Sequence, residues 1–204
     1  MGGKWNKKQQ AHVFPDDPSD QLDSVLLTGD VFDTKKEFQS FYTPGPLATR
    51  VAEMADIQPF DDILEPSAGR GAIAIALRKH QFRTLTMVEL SKDNYHFLCG
   101  MGLGSVTHGD FLKIPLDSFS KIVMNPPFSR QQDIDHTLHA YSLLKPKGIL
   151  ISIMSEGTFF RDTAKTHAFH KIYTFGYSEI LPACSFKQSG TMVNARIVRI
   201  VKPT

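Results

Sequence analysis

Short apolar runs alternate with helical stretches along most of the chain, and this alternation is what most constrains its fold. The run from Gly148 to Met154 is almost entirely apolar, as expected of a strand buried on both faces of a parallel sheet. Strands separated by helices predict an open, doubly wound α/β sheet with helices on both faces. The predicted strands are residues 60–65, 83–90, 105–107, 120–124, 148–154, 177–181 and 192–201.

Helical patterns fill the intervals between these strands. Leu47, Val51 and Met54 recur at helical spacing after Pro44 and Pro46, and proline is tolerated in a first helical turn. We therefore predict a helix there. Further helices are predicted at residues 72–80, 92–99 with Ser91 as the cap, 132–144 ended by Pro146 and Gly148, and 162–173.

The first 33 residues differ from the rest in composition. Residues 11–33 carry six aspartates, no Lys or Arg, and two prolines. Such a segment predicts an extended or partly disordered leader over residues 1–33. A chain of 204 residues then has room for one well-packed domain, which we place at residues 34–204, starting with a short helix at 34–38.

The composition excludes several classes of protein. No run of some 18 apolar residues occurs, so no membrane span is expected. The two cysteines, Cys99 and Cys184, lie far apart in the sequence, which favours reduced thiols and a cytoplasmic protein. His136 and His139, like His167 and His170, could share a helix face, but no Glu or Cys stands at zinc-ligand spacing, so no metal is expected.

The turn Asn125-Pro126-Pro127-Phe128 follows the apolar run 121–124. An Asn side chain offers an acceptor and two donor hydrogens, while the prolines stiffen the backbone and remove two N–H donors. Phe128 adds a ring that can stack on a planar base. These four residues suit holding a nitrogen base by its amine, although a plain Pro-rich turn is the alternative.

Three other polar positions follow earlier predicted strands. The turn after residues 60–65 contains Gly69 and Gly71, which let the backbone approach a ligand closely, although Gly69-x-Gly71-x-x-Ala74 also fits a dinucleotide fingerprint. Glu89 could accept hydrogen bonds from both ribose hydroxyls, or be a helix-start acid. Asp110 could accept from an adenine amine with Phe111 covering the base, or be an ordinary turn residue.

Taken in order, these motifs resemble the class I S-adenosylmethionine-dependent methyltransferases, and among them the DNA N6-adenine methyltransferases with an N-terminal cofactor motif. The similarity extends over residues 38–201. It rests on the Asn125–Phe128 turn and on three further segments, namely Phe41-Tyr42-Thr43-Pro44, Leu64-Glu65-Pro66-Ser67-Ala68-Gly69-Arg70-Gly71, and Phe186 followed by Gly190-Thr191-Met192-Val193-Asn194. It implies a Rossmann-like, seven-stranded, mostly parallel sheet with an antiparallel C-terminal strand.

The resemblance also implies roles for individual residues. S-adenosylmethionine would be the cofactor, with Glu65 holding its methionine ammonium group and Thr43 touching its methionine end. The implied cofactor-binding residues are Tyr42, Thr43, Glu65, Ser67, Ala68, Gly69, Gly71, Glu89, Leu90, Asp110, Phe111 and Asn125. The implied catalytic residues are Asn125, Pro126, Pro127, Phe128 and Phe186.

In the implied reaction, the target adenine is extruded from its helix, at a cost of a few kcal/mol. Asn125 and the Pro126 carbonyl accept hydrogen bonds from its N6 amine, and Phe128 and Phe186 sandwich the base. Phe186 could alternatively be a buried core ring. Stacking, at about 1–3 kcal/mol per base, would offset much of the cost of extrusion.

The partner predicted by this resemblance is DNA, with RNA as an alternative. From Arg161 onward the chain has seven basic residues and two acids, which could attract phosphates or be a solvated basic face. Family members with this motif order commonly carry a separate target-recognition region, which we do not find here, so a specificity subunit or a homodimer is possible. A bacterial or phage-infected cell is the expected setting.

Four other functions compete with this interpretation. A methyltransferase of structured RNA, acting on adenine N6 or guanine N2, uses the same kind of turn. A protein-glutamine methyltransferase is disfavoured because its turn ends in Tyr. A non-catalytic nucleic-acid-binding subunit would not need Asn125 and the glycine loop, and a nicotinamide-dependent oxidoreductase leaves the Asn125–Phe128 turn unexplained.

Overall fold

The computed structural model describes residues 4–8, 10–13, 42–174, 176–182, 185–186 and 194–204. The chain divides into two compact units, residues 1–39 and 40–204. In the first, strands β1 (Lys4–Asn6) and β2 (Ala11–Val13) form an antiparallel pair. The helix predicted at 34–38, most of the predicted leader, Phe41, Cys184 and residues 190–193 lie outside the described residues.

The second unit contains a seven-stranded sheet with helices between its strands. Helix α1 (Gly45–Met54) begins with proline in its first turn, as predicted. The remaining elements, in chain order, are β3 (Asp62–Glu65), α2 (Ala72–Leu77), β4 (Thr84–Glu89), α3 (Lys92–Met101), β5 (Ser105–His108), β6 (Phe119–Met124), α4 (Gln132–Ser142), β7 (Leu144–Ser155), α5 (Ala164–Tyr173), β8 (Gly176–Ile180) and β9 (Ala195–Val201). Short 3₁₀ turns occupy Ser129–Gln131 and Glu156–Phe159.

The strands lie in the order β5-β4-β3-β6-β7-β9-β8. All neighbouring pairs from β5 to β7 are parallel, whereas β9 runs antiparallel to both β7 and β8. From β3 the chain builds outward through β4 and β5, and then returns to place β6 on the other side of β3. The predicted mostly parallel sheet with an antiparallel C-terminal strand is therefore confirmed, and β3 and β6 flank the point where strand order reverses.

Side chains alternate between two apolar cores, one on each face of the sheet. Ile63 and Met87 belong to one core, while their neighbours Leu64 and Val88 belong to the other. The first core is closed by α1, α2 and α3, and the second by α4 and α5. The central strands β3, β6 and β7 are covered on both faces, which explains their continuous apolar runs in the sequence. None of the helices in the described part of the chain has the length and apolar character that crossing a bilayer requires.

The predicted boundary between α4 and β7 is wrong. The helix ends at Ser142 rather than at 144, and β7 begins at Leu144 rather than at Gly148. Leu144 pairs with Phe119, after which the register shifts so that Lys121 pairs with Ile149. Pro146 is accommodated in this irregularity, where a missing N–H breaks no ladder bond. Proline therefore marks a bulge within the strand and not the end of the helix.

Candidate active site

Two loops meet outside the carboxyl ends of β3 and β6, at the point where strand order reverses. Residues 66–71 follow β3, and the turn Asn125–Phe128 follows β6. Ligands of open α/β sheets bind in the crevice at such a point. The two segments that the sequence analysis singled out most strongly are thus neighbours in the fold.

Asn125 is held by the segment that precedes α1. Its Nδ2 donates a hydrogen bond to Thr43 Oγ1, with a donor–acceptor distance of 3.0 Å. Asn125 and Pro127 are half-buried, while Pro126 and Phe128 are buried. The structure therefore brings Thr43 to the Asn125–Phe128 turn from 82 residues away in sequence.

The backbone of the glycine loop adopts a conformation that residues with a Cβ atom rarely take. Gly69 and Gly71 have φ angles of +55° and +77°, in the left-handed region that favours glycine. A Cβ on Gly71 would stand 2.9 Å from Leu98 Cδ2. Gly71 therefore lets the loop backbone pack tightly against α3.

Glu89, at the end of β4, ties the glycine loop to the strand. Its two carboxylate oxygens accept hydrogen bonds from Gly69 N–H at 2.6 Å and from Ser91 N–H at 2.8 Å. Burial raises the pKa of Glu89, although the Ser91 and Gly69 N–H groups oppose the rise. Ser91 stands at the N-cap of α3, but its hydroxyl makes no capping bond, contrary to the prediction. Glu89 thereby joins the glycine loop to the start of α3.

Glu65 ends β3 beneath the same loop and is only 1% exposed. Its Oε2 has no hydrogen-bond partner among the described residues. Burial raises its pKa well above the ordinary range, and the nearby Glu89 charge adds to the rise despite an opposing backbone hydrogen bond from Ala74. A buried carboxylate oxygen without a partner is costly, so this position suits a cationic ligand group.

Asp110 and Phe111 follow β5 but lie in different surroundings. Asp110 is half-buried, bonds to Lys113 at 3.0 Å and accepts from Leu112 N–H at 3.0 Å. Burial alone would raise the pKa of Asp110, but these two bonds outweigh it and lower the pKa. Phe111 is buried in the core, with its ring centroid 4.7 Å from that of His139 and 5.5 Å from that of His136.

The remaining predicted cofactor residues line the loop at different depths. Ala68 is buried and Ser67 half-buried, whereas Leu90 is 52% exposed. Tyr42 is 42% exposed, and its ring lies 5.6 Å from the Arg70 guanidinium carbon. Tyr42 also borders Gly69, because a Cβ added there would meet the ring at 3.7 Å. The segment before α1 and the glycine loop therefore touch through Tyr42.

Phe128 and Phe186 come together, but not as a parallel pair. Their ring centroids are 5.9 Å apart and the ring planes meet at 85°, an edge-to-face contact. Phe186 is fully buried and Phe128 is 9% exposed. A base can lie between them only if one ring turns aside. The alternative of a buried core ring describes Phe186 in this structure.

Two residues near the site had been assigned no role from the sequence. Buried His136 on α4 places Nδ1 3.4 Å from Ser67 Oγ, and burial lowers its pKa to about 4. Asp133 is fully buried and accepts from Ser155 N–H at 2.9 Å and Thr158 Oγ1 at 3.1 Å. An acid in a first helical turn ordinarily predicts an exposed residue. No sequence signal distinguished Asp133.

Three described basic residues of the C-terminal third are engaged in separate places. Arg196, near the carboxyl end of β7, pairs with Glu156, and Lys165 pairs with Asp135. Lys202 lies at the other end of the sheet, where its Nζ donates to three carbonyls around the end of α4. Among the described residues, no group of three or more His, Cys, Asp and Glu side chains is arranged to hold a metal ion.

The chain resembles known proteins in part of its sequence. No protein-family model matches it. The ribosomal RNA small subunit methyltransferase A of Parasynechococcus marenigrum (strain WH8102) is 34% identical over an alignment of 89 residues that covers 39% of this chain and 30% of that protein. The similarity therefore spans less than a third of that curated relative.

Solved structures are similar over most of the chain. The M protein of the type I restriction enzyme EcoKI has a TM-score of 0.70 at 16% identity, covering 81% of this chain and 44% of its own. A dimethyladenosine transferase from Plasmodium falciparum has a TM-score of 0.62 at 13% identity, covering 79% and 63%. A candidate class I S-adenosylmethionine-dependent methyltransferase from Listeria monocytogenes has a TM-score of 0.62 at 17% identity, covering 90% and 67%.

The residues at the crevice fit S-adenosylmethionine. The unpartnered Oε2 of Glu65 suits an ammonium group, and Glu89 offers carboxylate oxygens of the kind that accept from ribose hydroxyls. The positive φ angles of Gly69 and Gly71 permit the close backbone approach that a bound nucleoside requires. The protein thus has the Rossmann-like fold of the class I S-adenosylmethionine-dependent methyltransferases.

Proposed function

We propose that this protein transfers a methyl group from S-adenosylmethionine to the exocyclic N6 amine of adenine in DNA. The observation that carries the proposal is the meeting of two unlike loops at the switch point of the sheet. One contains a buried acid and two left-handed glycines, and the other is the Asn125–Phe128 turn. A donor site and a base-amine site would thereby face each other across one crevice.

The glycine loop and its surroundings would hold the methyl donor. Glu65 would bind the ammonium group, Glu89 the ribose hydroxyls and Asp110 the adenine amine, each through carboxylate oxygens. The cofactor supplies an activated methyl group on a positively charged sulfur. Because the donor is already activated, the chain's task is to fix distance and angle.

Asn125 and the Pro126 carbonyl would accept hydrogen bonds from the target amine. With Nδ2 donating to Thr43, the Asn125 amide is oriented so that Oδ1 serves as its acceptor. Both proline rings stiffen the turn, and neither residue supplies a backbone N–H donor. Accepting hydrogen bonds from both amine N–H groups directs the nitrogen lone pair away from these oxygens and toward the methyl carbon, and the proton lost when the S–CH₃ bond is exchanged for the N–CH₃ bond passes to solvent. Phe128 would stack on the base.

DNA is favoured as substrate by the combined order of motifs and by structural likeness to the M protein of a type I restriction enzyme. The second candidate is structured RNA. It is favoured by the 34% identity to a ribosomal RNA methyltransferase over 89 residues. In either case a specificity subunit or a second copy of the chain could complete recognition.

A labelled-transfer experiment tests the proposal. Purified protein is given S-adenosylmethionine with a radioactive methyl group and, in parallel, duplex DNA, structured RNA or a protein extract. The labelled product is digested and its modified residue identified. We expect N6-methyladenine from DNA, and no label when Asn125→Ala replaces the native protein. Label found only in protein would overturn the proposal, and N6-methyladenine found only in RNA would transfer it to the second candidate.

A further inference from the structure

The segment Glu156–Arg161, here called the β7–α5 loop, is held firmly at the carboxyl end of the sheet. Glu156 is paired with Arg196, with Nε 2.7 Å from Oε1. Thr158 is 1% exposed and donates to Asp133 at 3.1 Å. Phe159 packs edge to face on Phe169, with centroids 5.7 Å apart. An ion pair, a hydrogen bond and a ring contact therefore anchor the loop to the rest of the domain.

The last two residues of this loop nevertheless face solvent. Phe160 is 75% exposed, although the adjacent Phe159 is packed into the second core. Arg161 is also exposed and makes no ion pair among the described residues. Its guanidinium lies over Gly157, where a Cβ would stand 3.1 Å from Cζ. A firmly anchored loop thus presents an apolar ring and a cation to the solvent.

A second exposed cation lies on the neighbouring turn. Thr163 Oγ1 at the N-cap of α5 donates to Gln131 Oε1 at 3.4 Å, which joins the residues just after the β7–α5 loop to the turn that follows Phe128. Arg130 in that turn is exposed and, in the described part of the chain, has no salt bridge. Arg130 and Gln131 both have left-handed backbone, with φ of +52° and +62°. Such conformations cost non-glycine residues about 1 kcal/mol or more each, and hydrogen bonds from Ser129 to Gln132 and from Thr163 to Gln131 help to hold this turn.

We propose that Phe160, Arg161 and Arg130 form a nucleic-acid platform beside the Asn125–Phe128 turn, where an opened segment of DNA docks next to the target adenine. The inference rests on the proposed function and adds the surface that delivers the substrate. Phe160 stacks on a neighbouring unpaired base, since an exposed ring offers every base a π-face. The two guanidinium groups contact phosphates, because arginine matches phosphate geometry.

The charges near the platform support this assignment. Lys165, Arg196 and Lys202 are engaged with carboxylates or backbone carbonyls, so they are poorly placed to bind phosphates. Arg161 and Arg130 are the exposed arginines beside the turn without such pairing within the described ranges. Of the basic residues in the C-terminal third, Arg161 is the one that lies in the β7–α5 loop, and Arg130 joins it from outside that third.

Binding of fluorescent DNA by the full chain tests the platform. The probe is a duplex with a short unpaired adenine-containing segment, titrated at several salt concentrations. We expect Phe160→Ala to weaken binding by about tenfold and Phe160→Trp to restore it, as stacking predicts. Arg161→Ala should weaken binding and lower the slope of log affinity against log salt by about one unit. Affinity for S-adenosylmethionine should stay the same in all three variants.

Two residues at the opposite end of the sheet provide matched controls. Phe60 is 72% exposed before β3, and Lys79 is exposed after α2. Phe60→Ala and Lys79→Ala remove a ring and a charge of similar exposure, and both should bind the probe like the native protein. Equal losses of DNA affinity in Phe160→Ala and Phe60→Ala would overturn the platform. They would not contradict the proposed methyl transfer.

The outcomes separate the platform from the proposed function. If the native protein methylates DNA and Phe160→Ala binds and methylates it normally, the platform is wrong and the function stands. If the native protein neither binds nor methylates nucleic acid, the proposed function is wrong, and the platform is wrong with it. If the variants lose affinity for an RNA hairpin but not for the DNA probe, the assignment to DNA is overturned.

Discussion

The two ends of the central sheet treat charge in opposite ways. At the amino end, Asp62 accepts from Thr84 at 2.8 Å and pairs with Arg83 and, at 2.9 Å, with Lys145. Hydrogen bonds from Arg83 first, and then from Lys145, hold the pKa of Asp62 far below its usual range. This end favours the ionised carboxylate and contributes to stability.

At the carboxyl end, burial works against charge of either sign. It raises the pKa of Glu65, Glu89 and Asp133, and it lowers the pKa of His136 to about 4. None of the three carboxylates is paired with a cation in the described part of the chain. The difference shows that Asp62 at the amino end is neutralised by cations of the chain, whereas the three buried acids at the carboxyl end have no such cation and are open to a ligand.

The largest expected effect is at the carboxyl end, in Asn125→Ala. It removes the proposed amine acceptor, and we expect methyl transfer to fall by roughly a thousandfold or to background. Cofactor affinity should be largely retained, since Glu65, Glu89 and Asp110 are unchanged. Single-turnover kinetics with isothermal titration calorimetry checks both. Near-normal turnover would remove Asn125 from the reaction.

Glu65→Gln should reduce affinity for S-adenosylmethionine by about ten- to a hundredfold, because it loses a charged hydrogen bond worth roughly 1.5–3 kcal/mol. The same change should raise the free energy of unfolding by ~1 kcal/mol at pH 7, since the raised pKa means that the ionised form is costly in the folded protein. Calorimetry and urea unfolding measure the two effects. Lower stability with unchanged affinity would contradict this role.

His136→Gln should flatten the pH dependence of stability. The folded pKa of His136 is about 4 and the unfolded value about 6.5, so the unfolded chain binds the extra proton as pH falls. As the pH falls from 7 to 5, this histidine should lower the unfolding free energy of the native protein by about 2 kcal/mol. The variant should retain most of that stability. The nearby Asp110, Asp135 and His139 are present in both proteins. Urea unfolding at pH 7 and pH 5 measures this difference. An equal loss of unfolding free energy in the native protein and the variant would contradict the prediction.

Asp62→Asn at the amino end should have the smallest effect. We expect a loss of about 1 kcal/mol of unfolding free energy at pH 7, because Arg83 is largely exposed and solvent screens the pair. A lowered pKa stabilises the fold above the unfolded value, so the loss should shrink as pH falls below about 4. Affinity for S-adenosylmethionine should not change, which is the reverse of Glu65→Gln. A drop in affinity would end the distinction between the two ends.

The sequence predicted the fold well wherever an apolar run ended at residues typical of a turn. Strands ending at Glu65, Glu89 and Met124 were expected within about a residue, because apolar runs there stop at a polar or glycine-rich turn. The bulge at Pro146 was not predictable, because a proline after a helical pattern normally reads as a stop. Register depends on pairing with distant Phe119, which no local pattern shows.

The candidate site was predictable in its strand-end positions but not in its side-chain environment. Asn125 and Thr43 were assigned from motifs, and the structure joins them by a hydrogen bond. Asp133 and His136 were missed because their importance comes from burial against the β7–α5 loop and Ser67. The edge-to-face contact of Phe128 with Phe186 depends on ring orientation, which sequence does not encode locally.

The position of β9 has a consequence for the order of synthesis. Although β9 follows β8 in the chain, it lies between β7 and β8 and pairs with both. During translation, β8 therefore has no strand to join until residues 195–201 have left the ribosome. Its side chains Tyr177 and Ile180 are exposed even in the finished sheet. A nascent chain stalled before Ala195 would thus carry two unpaired edges, that of β7 and all of β8, and would be prone to aggregation.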